Sequence, residues 1–389
     1  MRILQLCNKP PFPATDGGAL AMSRITEGLL NAGHQVHVFS LCTYKHPQPT
    51  ITFEHESLSQ EWHNIETERK FVAAITNLIS NTSYNISRFD VPAVHEALKN
   101  LLQKETFDII HLESLFTTPY INTIRENSQA PIIYRSHNVE YQIWEQLASQ
   151  EKKRAKKWYL AKLAKQLKEF ELAVHQKVDG VASISTKDLE FHKTMAPSVH
   201  IPVGMDLEVA PRINNNTVFH LGSMDWQPNA DGVRWFLDKV WPLVYAKNKN
   251  AEFHFAGKGM PDDLKKYRGK NIFLHETVTN AQSFMRDHNL MVIPLLVGSG
   301  VRIKAIEAMG LGKTVVSTSI GSDGIPGVSD VMRIADSPEL FAENILELLN
   351  APHTAAELGH KSRKLFKELF DLSKSTQQLI SFYQQYLRR

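Results

Sequence analysis

Two successive α/β domains, each on a parallel doubly wound sheet, are the fold class this chain predicts, and three observations carry that reading. A βαβ unit fills the first 41 residues: Arg2–Leu6 reads as a strand, Gly18–Asn31 as an amphipathic helix bounded by Gly33, and Gln35–Leu41 as a second strand. Strand and helix patterns then alternate to about residue 205 and begin afresh at Val218. Finally, Met291–Ile320, MVIPLLVGSGVRIKAIEAMGLGKTVVSTSI, is an apolar strand, a glycine loop, a short helix and another strand.

The 389 residues suffice for two ordinary cores. A formal charge of +3 is too small to imply nucleic acid as a partner. No apolar run approaches the roughly 20 residues of a membrane span. The opening MRILQLCNKPPF reads as a short strand followed by prolines rather than a signal peptide, so a cytoplasmic protein is expected. Cys7 and Cys42, each near a strand end, fit reduced core thiols better than a disulfide or a metal site.

In the first domain the loop Asn8–Gly18 carries Pro10, Pro11, Pro13 and then Asp16-Gly17-Gly18 at the helix start. It lacks G-x-G-x-x-G, and the second strand ends Ser40-Leu41-Cys42-Thr43 with no acid for a nicotinamide ribose, which argues against NAD. Further strands are expected at Phe107–Leu112, Pro131–Arg135, Gly180–Ser185 and Val199–Val203. Ligands of such sheets gather at the carboxyl ends of strands, and His137 stands there, just past Ile132-Ile133-Tyr134. It is either a sugar-hydroxyl partner or a structural loop histidine; His111, Glu113 and Glu140 are weaker candidates. Glu151–His175 reads as one long helix, lysine-rich on much of its surface. It is either an ordinary domain helix or a peripheral membrane contact.

Pro211–Thr217 reads as the linker between the domains. Val218–Leu221 then opens the second domain, with the loop Gly222-Ser223-Met224-Asp225-Trp226 and a helix from Val233 to Tyr245. Glu252–Ala256 with Gly257-Lys258-Gly259 follows, then Asn271–His275 and Glu276-Thr277-Val278. In the strand–loop–helix that comes next, Leu290–Leu296 is the strand, Gly298-Ser299-Gly300 the turn and Val301–Met309 the helix. A helix start offers unpaired N–H groups and the positive end of the peptide dipole, an anion site. Arg302 and Lys304 there are disfavoured by the dipole unless an anion lies between them. Glu307 sits roughly 9 Å along at about 1.5 Å per residue, near the diphosphate-to-ribose distance of a nucleotide. A solvated helix with a Lys304/Glu307 pair and no ligand remains the other reading. After it come the loop Gly321–Gly327, a strand at Val331–Ile334 and helices at Pro338–Asn350, Ala355–Phe370 and Ser373–Leu387.

The segment GSGVRIKAIEAMGLGKTVVST resembles the donor-nucleotide segment of retaining GT-B glycosyltransferases, glycosyltransferase family four (group 1). The family usually shows two glutamates seven residues apart; Glu307 matches the second, and Ser299 stands at the first. The resemblance implies a GT-B fold, two Rossmann-like domains with an interdomain cleft and a C-terminal helix crossing back. The boundaries expected are 1–205 for an acceptor-side domain, 206–370 for a nucleotide-sugar domain and 371–389 for the terminal helix. It implies transfer, with retention and without metal or cofactor, from a nucleotide-diphosphate sugar to a carbohydrate or lipid-linked hydroxyl acceptor. Carried over residue by residue, the catalytic positions are His137, Arg302 and Lys304, and the donor contacts Gly17, Gly18, Gly222, Ser223, Asn229, Val278, Ser299, Gly300, Val301 and Glu307. A G-x-M-x-W-x-P-N pattern from Gly222 lacks the family's usual arginine, so Ser223 and Asn229 are expected as neutral phosphate donors. No D-x-D motif ends a strand. A sugar-nucleotide epimerase or hydrolase of the same fold, and a non-catalytic nucleotide-sugar-binding subunit, are the alternatives.

Overall fold

A computed structural model describes residues 1–67, 83–210, 216–298 and 301–387. The chain divides into two compact units, Met1–Gly204 with Leu372–Arg389, and Met205–Asp371.

Among the described residues, the first unit holds a seven-stranded parallel sheet in the order β3-β2-β1-β4-β5-β6-β7. The strands are β1 Arg2–Cys7, β2 Gln35–Cys42, β3 Leu58–Asn64, β4 Ile109–Glu113, β5 Ile132–Ser136, β6 Gly180–Ser183 and β7 Ser198–His200. Successive strand side chains point to opposite faces, and both faces of the central strands β1, β4, β5 and β6 are covered, so those strands are buried nearly throughout. Leu4 and Leu6 pack with Phe39, Leu112, Tyr134 and the helix Pro92–Lys104. Ile3 and Cys7 pack on the other face with Met22, Ile25 and Leu29 of the helix Gly17–Asn31 and with Leu379 and Tyr383 of the terminal helix Leu372–Leu387. The two helices touch at Gly28, where an added Cβ would lie 2.0 Å from Thr376 Oγ1. The Ser375 hydroxyl donates to the Pro202 carbonyl (2.7 Å) and Tyr383 OH meets His111 Nδ1 (2.6 Å), so the terminal helix is bonded as well as packed.

The second unit repeats the plan with six parallel strands in the order β10-β9-β8-β11-β12-β13. They are β8 Thr217–Leu221, β9 Glu252–Ala256, β10 Ile272–His275, β11 Leu290–Ile293, β12 Thr314–Ser317 and β13 Arg333–Ile334. Its core gathers Phe236, Trp241, Phe253, Phe255 and Phe341. Met205 and Asp371, the first and last residues of the unit, pair as a single parallel bridge, so its chain is entered and left at one point.

Several boundaries differ from the sequence reading, for local reasons. The strand expected at Leu290–Leu296 stops at Ile293 because Pro294 has no N–H to give the ladder. The helix expected over Glu151–His175 runs from Arg154 to Val174, preceded by a separate helix, Glu140–Gln150, with extended backbone at Glu151 and Lys153 between them. Glu171, on the longer helix, accepts from the Glu140 and Tyr141 amides (both 3.1 Å) and so caps the shorter one. Leu163, Leu167 and Val174 of the longer helix are buried, and no described helix is long and apolar enough to cross a membrane. The helix expected over Val233–Tyr245, with Pro228–Gly232 as its start, begins at Gln227 with Pro228 in its first turn, and continues through one π turn at Phe236–Val240. Of the linker read at Pro211–Thr217, residues 211–215 lie outside the described residues and Thr217 already belongs to β8. Cys7 and Cys42 are buried free thiols.

Candidate functional site

The strand order of the second sheet reverses direction between β8 and β11, and parallel sheets bind ligands beyond the carboxyl ends of strands at such a switch point. Two loops leave it there, Gly222–Trp226 after β8 and Pro294–Gly298 after β11. Each is approached by the backbone of a neighbouring element so closely that a side chain is excluded there. A Cβ on Gly257 would lie 1.8 Å from the Gly222 carbonyl oxygen, and one on Gly232 would lie 2.5 Å from that of Pro294. Gly298 has φ +137°, open to glycine and strained for other residues. Its missing side chain leaves room for Arg302 Nη2 and the Trp226 ring, 2.8 and 3.1 Å from the position a Cβ would take. The Arg302 guanidinium lies over that ring at 5.5 Å, an indole platform that fixes where the charge points. Burial pulls its pKa below the ordinary arginine value, with Asp323 opposing.

The helix here is Ile303–Gly310, two residues shorter at its start than the sequence reading, and Arg302 is its N-cap rather than part of its first turn. The reason is local: Arg302 is extended (φ −84°, ψ 94°) while its carbonyl already accepts from Ala305 and Ile306 (2.9 and 3.2 Å). Among the described residues no side chain caps this helix, so the Ile303 and Lys304 amides are left for an anion. Lys304 Nζ sits 2.6 Å from Glu307 Oε2, with Glu307 buried and Lys304 half-exposed. A lysine has three N–H donors, so this ion pair leaves it able to meet a phosphate as well.

In the first unit the corresponding switch point lies between β1 and β4, where Cys7 pairs with Glu113. Glu113 is fully buried and collects donors from three strands. Gln5 Nε2 donates to it at 2.9 Å, Arg135 Nη1 at 3.4 Å, and His137 Nε2 at 2.6 Å, while His111 Nε2 stands 3.3 Å away. Burial alone would raise its carboxyl pKa; Arg135 and the two histidines outweigh burial and hold it well below the usual range. Burial lowers the His137 pKa more than Glu113 raises it, so the imidazole is neutral at pH 7. With Nε2–H given to Glu113, Nδ1 is left as an acceptor. Nearby, the Gly17-Gly18 helix start is capped by Asp16, which accepts from the Ala19 amide (2.8 Å) and from Lys9 Nζ (2.7 Å). A Cβ on Gly18 would come 3.1 Å from that lysine nitrogen. Burial pushes the Glu140 carboxyl up to about 7.

Residues 15–209 match the family described as Glycosyltransferase Family 4, and residues 215–351 match Glycosyl transferases group 1. The chain is a family 4, group 1 glycosyltransferase. A Klebsiella pneumoniae protein described as an uncharacterized 44.6 kDa protein in a cps region is 25% identical to the transferase over 391 residues, spanning 96% of this chain and 97% of the other. Sucrose-phosphate synthase of Thermosynechococcus elongatus superposes with a TM-score of 0.73 at 16% identity, covering 99% of both chains. A TarM variant of S. aureus, solved with Fondaparinux, alpha-GlcNAc-glycerol and UDP, gives 0.68 at 13% identity over 98% of this chain and 100% of that one. HepE of Anabaena, solved with UDP and glucose, gives 0.64 at 11%, over 98% and 99%. At such identities the likeness is one of fold, and the two parallel-sheet domains of the transferase are those of the GT-B architecture.

Within the second unit of the transferase the candidate residues Gly222, Ser223, Asn229, Arg302, Lys304 and Glu307 fall on the loops and helix of the switch point, and Val301 immediately precedes the Arg302 cap. Ser299 and Gly300 lie outside the described residues. Ser223 and Asn229 have work within the loop itself: Asn229 Nδ2 holds the Ser223 carbonyl (2.8 Å), and the Ser223 hydroxyl donates to Asp225. Val278 is half-buried in the loop after β10, whose Glu276 carbonyl accepts from the Gly257 amide (2.9 Å). In the first unit, Gly17 and Gly18 open the helix beside Lys9, and His137 joins Glu113. Sequence reasoning passed over Lys9, Arg135, Trp226 and His220. The last is buried beneath Gly222, its Nδ1 on the Val292 carbonyl (3.0 Å) and its Nε2 3.1 Å from a Cβ position on that glycine. A glycine doublet flanked by Asp16 and a nearby lysine was a visible signal for Lys9; no local signal marks the others.

Proposed function

We propose that this glycosyltransferase moves a hexosyl group from a nucleotide-diphosphate sugar to a carbohydrate or lipid-linked hydroxyl, with retention and without a metal at the reaction centre. The observation that carries the reading is the cationic helix start of the second unit. Arg302 is held over Trp226, Lys304 follows in the first turn, and uncapped amides complete an anion site at the sheet's switch point. Charge building on the departing diphosphate is then met by fixed donors, which need no reorganisation as the bond breaks. Glu307, one turn further on, is assigned to the ribose, with Lys304 as its ion-pair partner.

His137 is assigned to the transferred sugar. Its Nδ1 accepts from a hydroxyl, and Glu113 holds the ring in that tautomer. With Ser299 where the family has a glutamate, a front-side path is favoured: the anomeric carbon–phosphate oxygen bond breaks, the bond to the acceptor oxygen forms on the same face, and the acceptor proton passes to the leaving phosphate. UDP-sugars are the first donors to try, because structural neighbours were solved with UDP. The cps-region relative points to polysaccharide biosynthesis as the setting.

The test is turnover of labelled UDP-sugars by the full chain against a panel of saccharide and lipid-linked acceptors, with magnesium and manganese omitted. The anomeric configuration of the product is read by proton NMR. An α-linked product from an α-linked donor is expected; an inverted product, or activity only with added divalent ion, would contradict the proposal.

A further inference from the structure

A second cluster in the same unit shares no residue with the donor site. His254 lies in the middle of β9, His275 ends β10, and His288 follows the helix Ala281–Arg286, one residue before the turn into β11. The β9/β10 register pairs His254 with Phe273 and Ala256 with His275, so His254 and His275 are diagonal neighbours on one sheet face. Phe253 and Phe255, alternating with His254, go to the core on the opposite face.

We propose that His254, His275 and His288 form a zinc-class metal site that ties β9, β10 and the approach to β11 together. One ring nitrogen of each lies within 4.8 Å of one ring nitrogen of both others. His254 Nδ1 and His275 Nε2 are 3.2 Å apart, close to the roughly 3.4 Å separating two imidazole nitrogens on a tetrahedral ion with about 2.05 Å bonds.

The surroundings orient these rings as metal-bound imidazoles are oriented. A ligating histidine gives its other N–H to a carboxylate or a carbonyl, which fixes the tautomer and raises the basicity of the ligand nitrogen. His288 Nδ1 donates to the Phe284 carbonyl at 2.6 Å, leaving Nε2 as its lone pair. His254 Nε2 faces the Glu252 carboxylate at 3.3 Å, leaving Nδ1, the nitrogen turned toward His275. Two different elements thus set two tautomers that aim lone pairs into one cluster. Without an ion, one proton shared between His254 Nδ1 and His275 Nε2 holds that contact. Phe273 stacks on His254 at 4.6 Å and Phe284 packs on His288 at 4.4 Å, an apolar shell that strengthens ligation.

An all-imidazole donor set suits zinc, copper and nickel rather than magnesium or calcium, and three ligands leave a fourth position for water. His254 and His275 are each partly exposed, which gives the ion a way in. The ion's role is structural: β10 is a four-residue edge strand, and a metal bond to His275 fastens it across the sheet face to β9 and the approach to β11.

The test uses the untagged full chain, stripped with a chelator and titrated with zinc chloride by calorimetry, then with cobalt chloride by absorption. The expected result is one zinc per chain, visible d–d bands from tetrahedral cobalt, and a melting temperature that rises with zinc. His275→Gln, at a half-exposed position, should keep the far-UV circular dichroism of the parent and bind zinc at least about 100-fold more weakly. Glu252→Gln should cost about 10- to 100-fold. A folded parent chain that takes up no stoichiometric zinc would overturn the site, leaving the rings as an aromatic stack. Binding that His254→Gln and His275→Gln leave unchanged would overturn it equally.

Discussion

Glu113 Oε2 and His137 Nε2 are 2.6 Å apart at the carboxyl ends of adjacent parallel strands, and the glutamate is fully enclosed. A buried carboxylate cannot be left without its partners cheaply, so this contact fixes the histidine as firmly as the core fixes the strands. Glu113→Gln leaves the Arg135 guanidinium buried and unpaired. A loss of about 3–5 kcal/mol in unfolding free energy is expected by denaturant titration. His137→Gln keeps a polar group at the loop and should cost under about 1 kcal/mol of stability, yet lower turnover at least tenfold at unchanged nucleotide affinity. Equal losses of stability in both variants would remove the distinction drawn between holding and acting.

Buried histidines should cost the protein stability in acid. Burial lowers the pKa of His192 to about 3 and that of His220 to about 4. Their native neutral forms contribute fully above the unfolded value near 6.5. As pH falls from 6.5 toward 4 the unfolded chain binds protons the native chain refuses, and stability drops by up to about 1.4 kcal/mol per histidine per pH unit. Glu113, held well below the carboxylate range, adds its own loss as pH falls below about 4.5. Glu140 and Glu171, whose carboxyls burial raises to about 7 and about 8, take up protons first in the native state and so offset part of this loss. Denaturant midpoints at pH 7.5, 6, 5 and 4.5 should therefore fall less steeply in His220→Gln than in the parent, and parallel profiles would contradict this.

The glycine junction of the second unit has no slack. Gly257→Ala sets a methyl 1.8 Å from the Gly222 carbonyl oxygen, backbone against backbone, so one loop must move. Destabilisation of at least about 2 kcal/mol is expected, in the range of overpacking, together with weakened nucleotide binding. Gly28→Ala meets Thr376 Oγ1 instead, a side chain that can rotate, and should cost less. Thermal melts of the two variants rank the sites.

Trp226, 40% exposed, contributes little to the core, so Trp226→Ala should fold normally. Losing the ring beneath Arg302 removes about 0.5–2 kcal/mol of cation–π interaction, a loss of roughly 2- to 30-fold in nucleotide affinity by calorimetry.

Much of this was legible in the chain because it is local. The βαβ opening, the strand–glycine–helix order around Gly298 and the one-turn spacing of Lys304 and Glu307 all follow from periodicity and short-range sterics. What escaped was tertiary. Arg302 finds Trp226 through the switch point of a sheet, Glu113 gathers Gln5 from one neighbouring strand and Arg135 and His137 from the other, and His254 meets His288 across a helix; no window of sequence contains any of these partner sets. The helix start shifted from Val301 to Ile303 because the backbone stays extended until the Arg302 carbonyl takes its first helical bonds, a choice of ψ that composition does not encode.

The claim on which the functional account stands is that the Ile303 helix start binds the donor diphosphate. Calorimetric titration of the parent chain and of Arg302→Ala/Lys304→Ala with UDP, then with the other nucleoside diphosphates, tests it directly. Each lost charge-assisted contact removes about 1.5–3 kcal/mol, so the nucleotide that binds the parent should bind the folded double variant at least about 100-fold more weakly. An unchanged affinity would contradict the account.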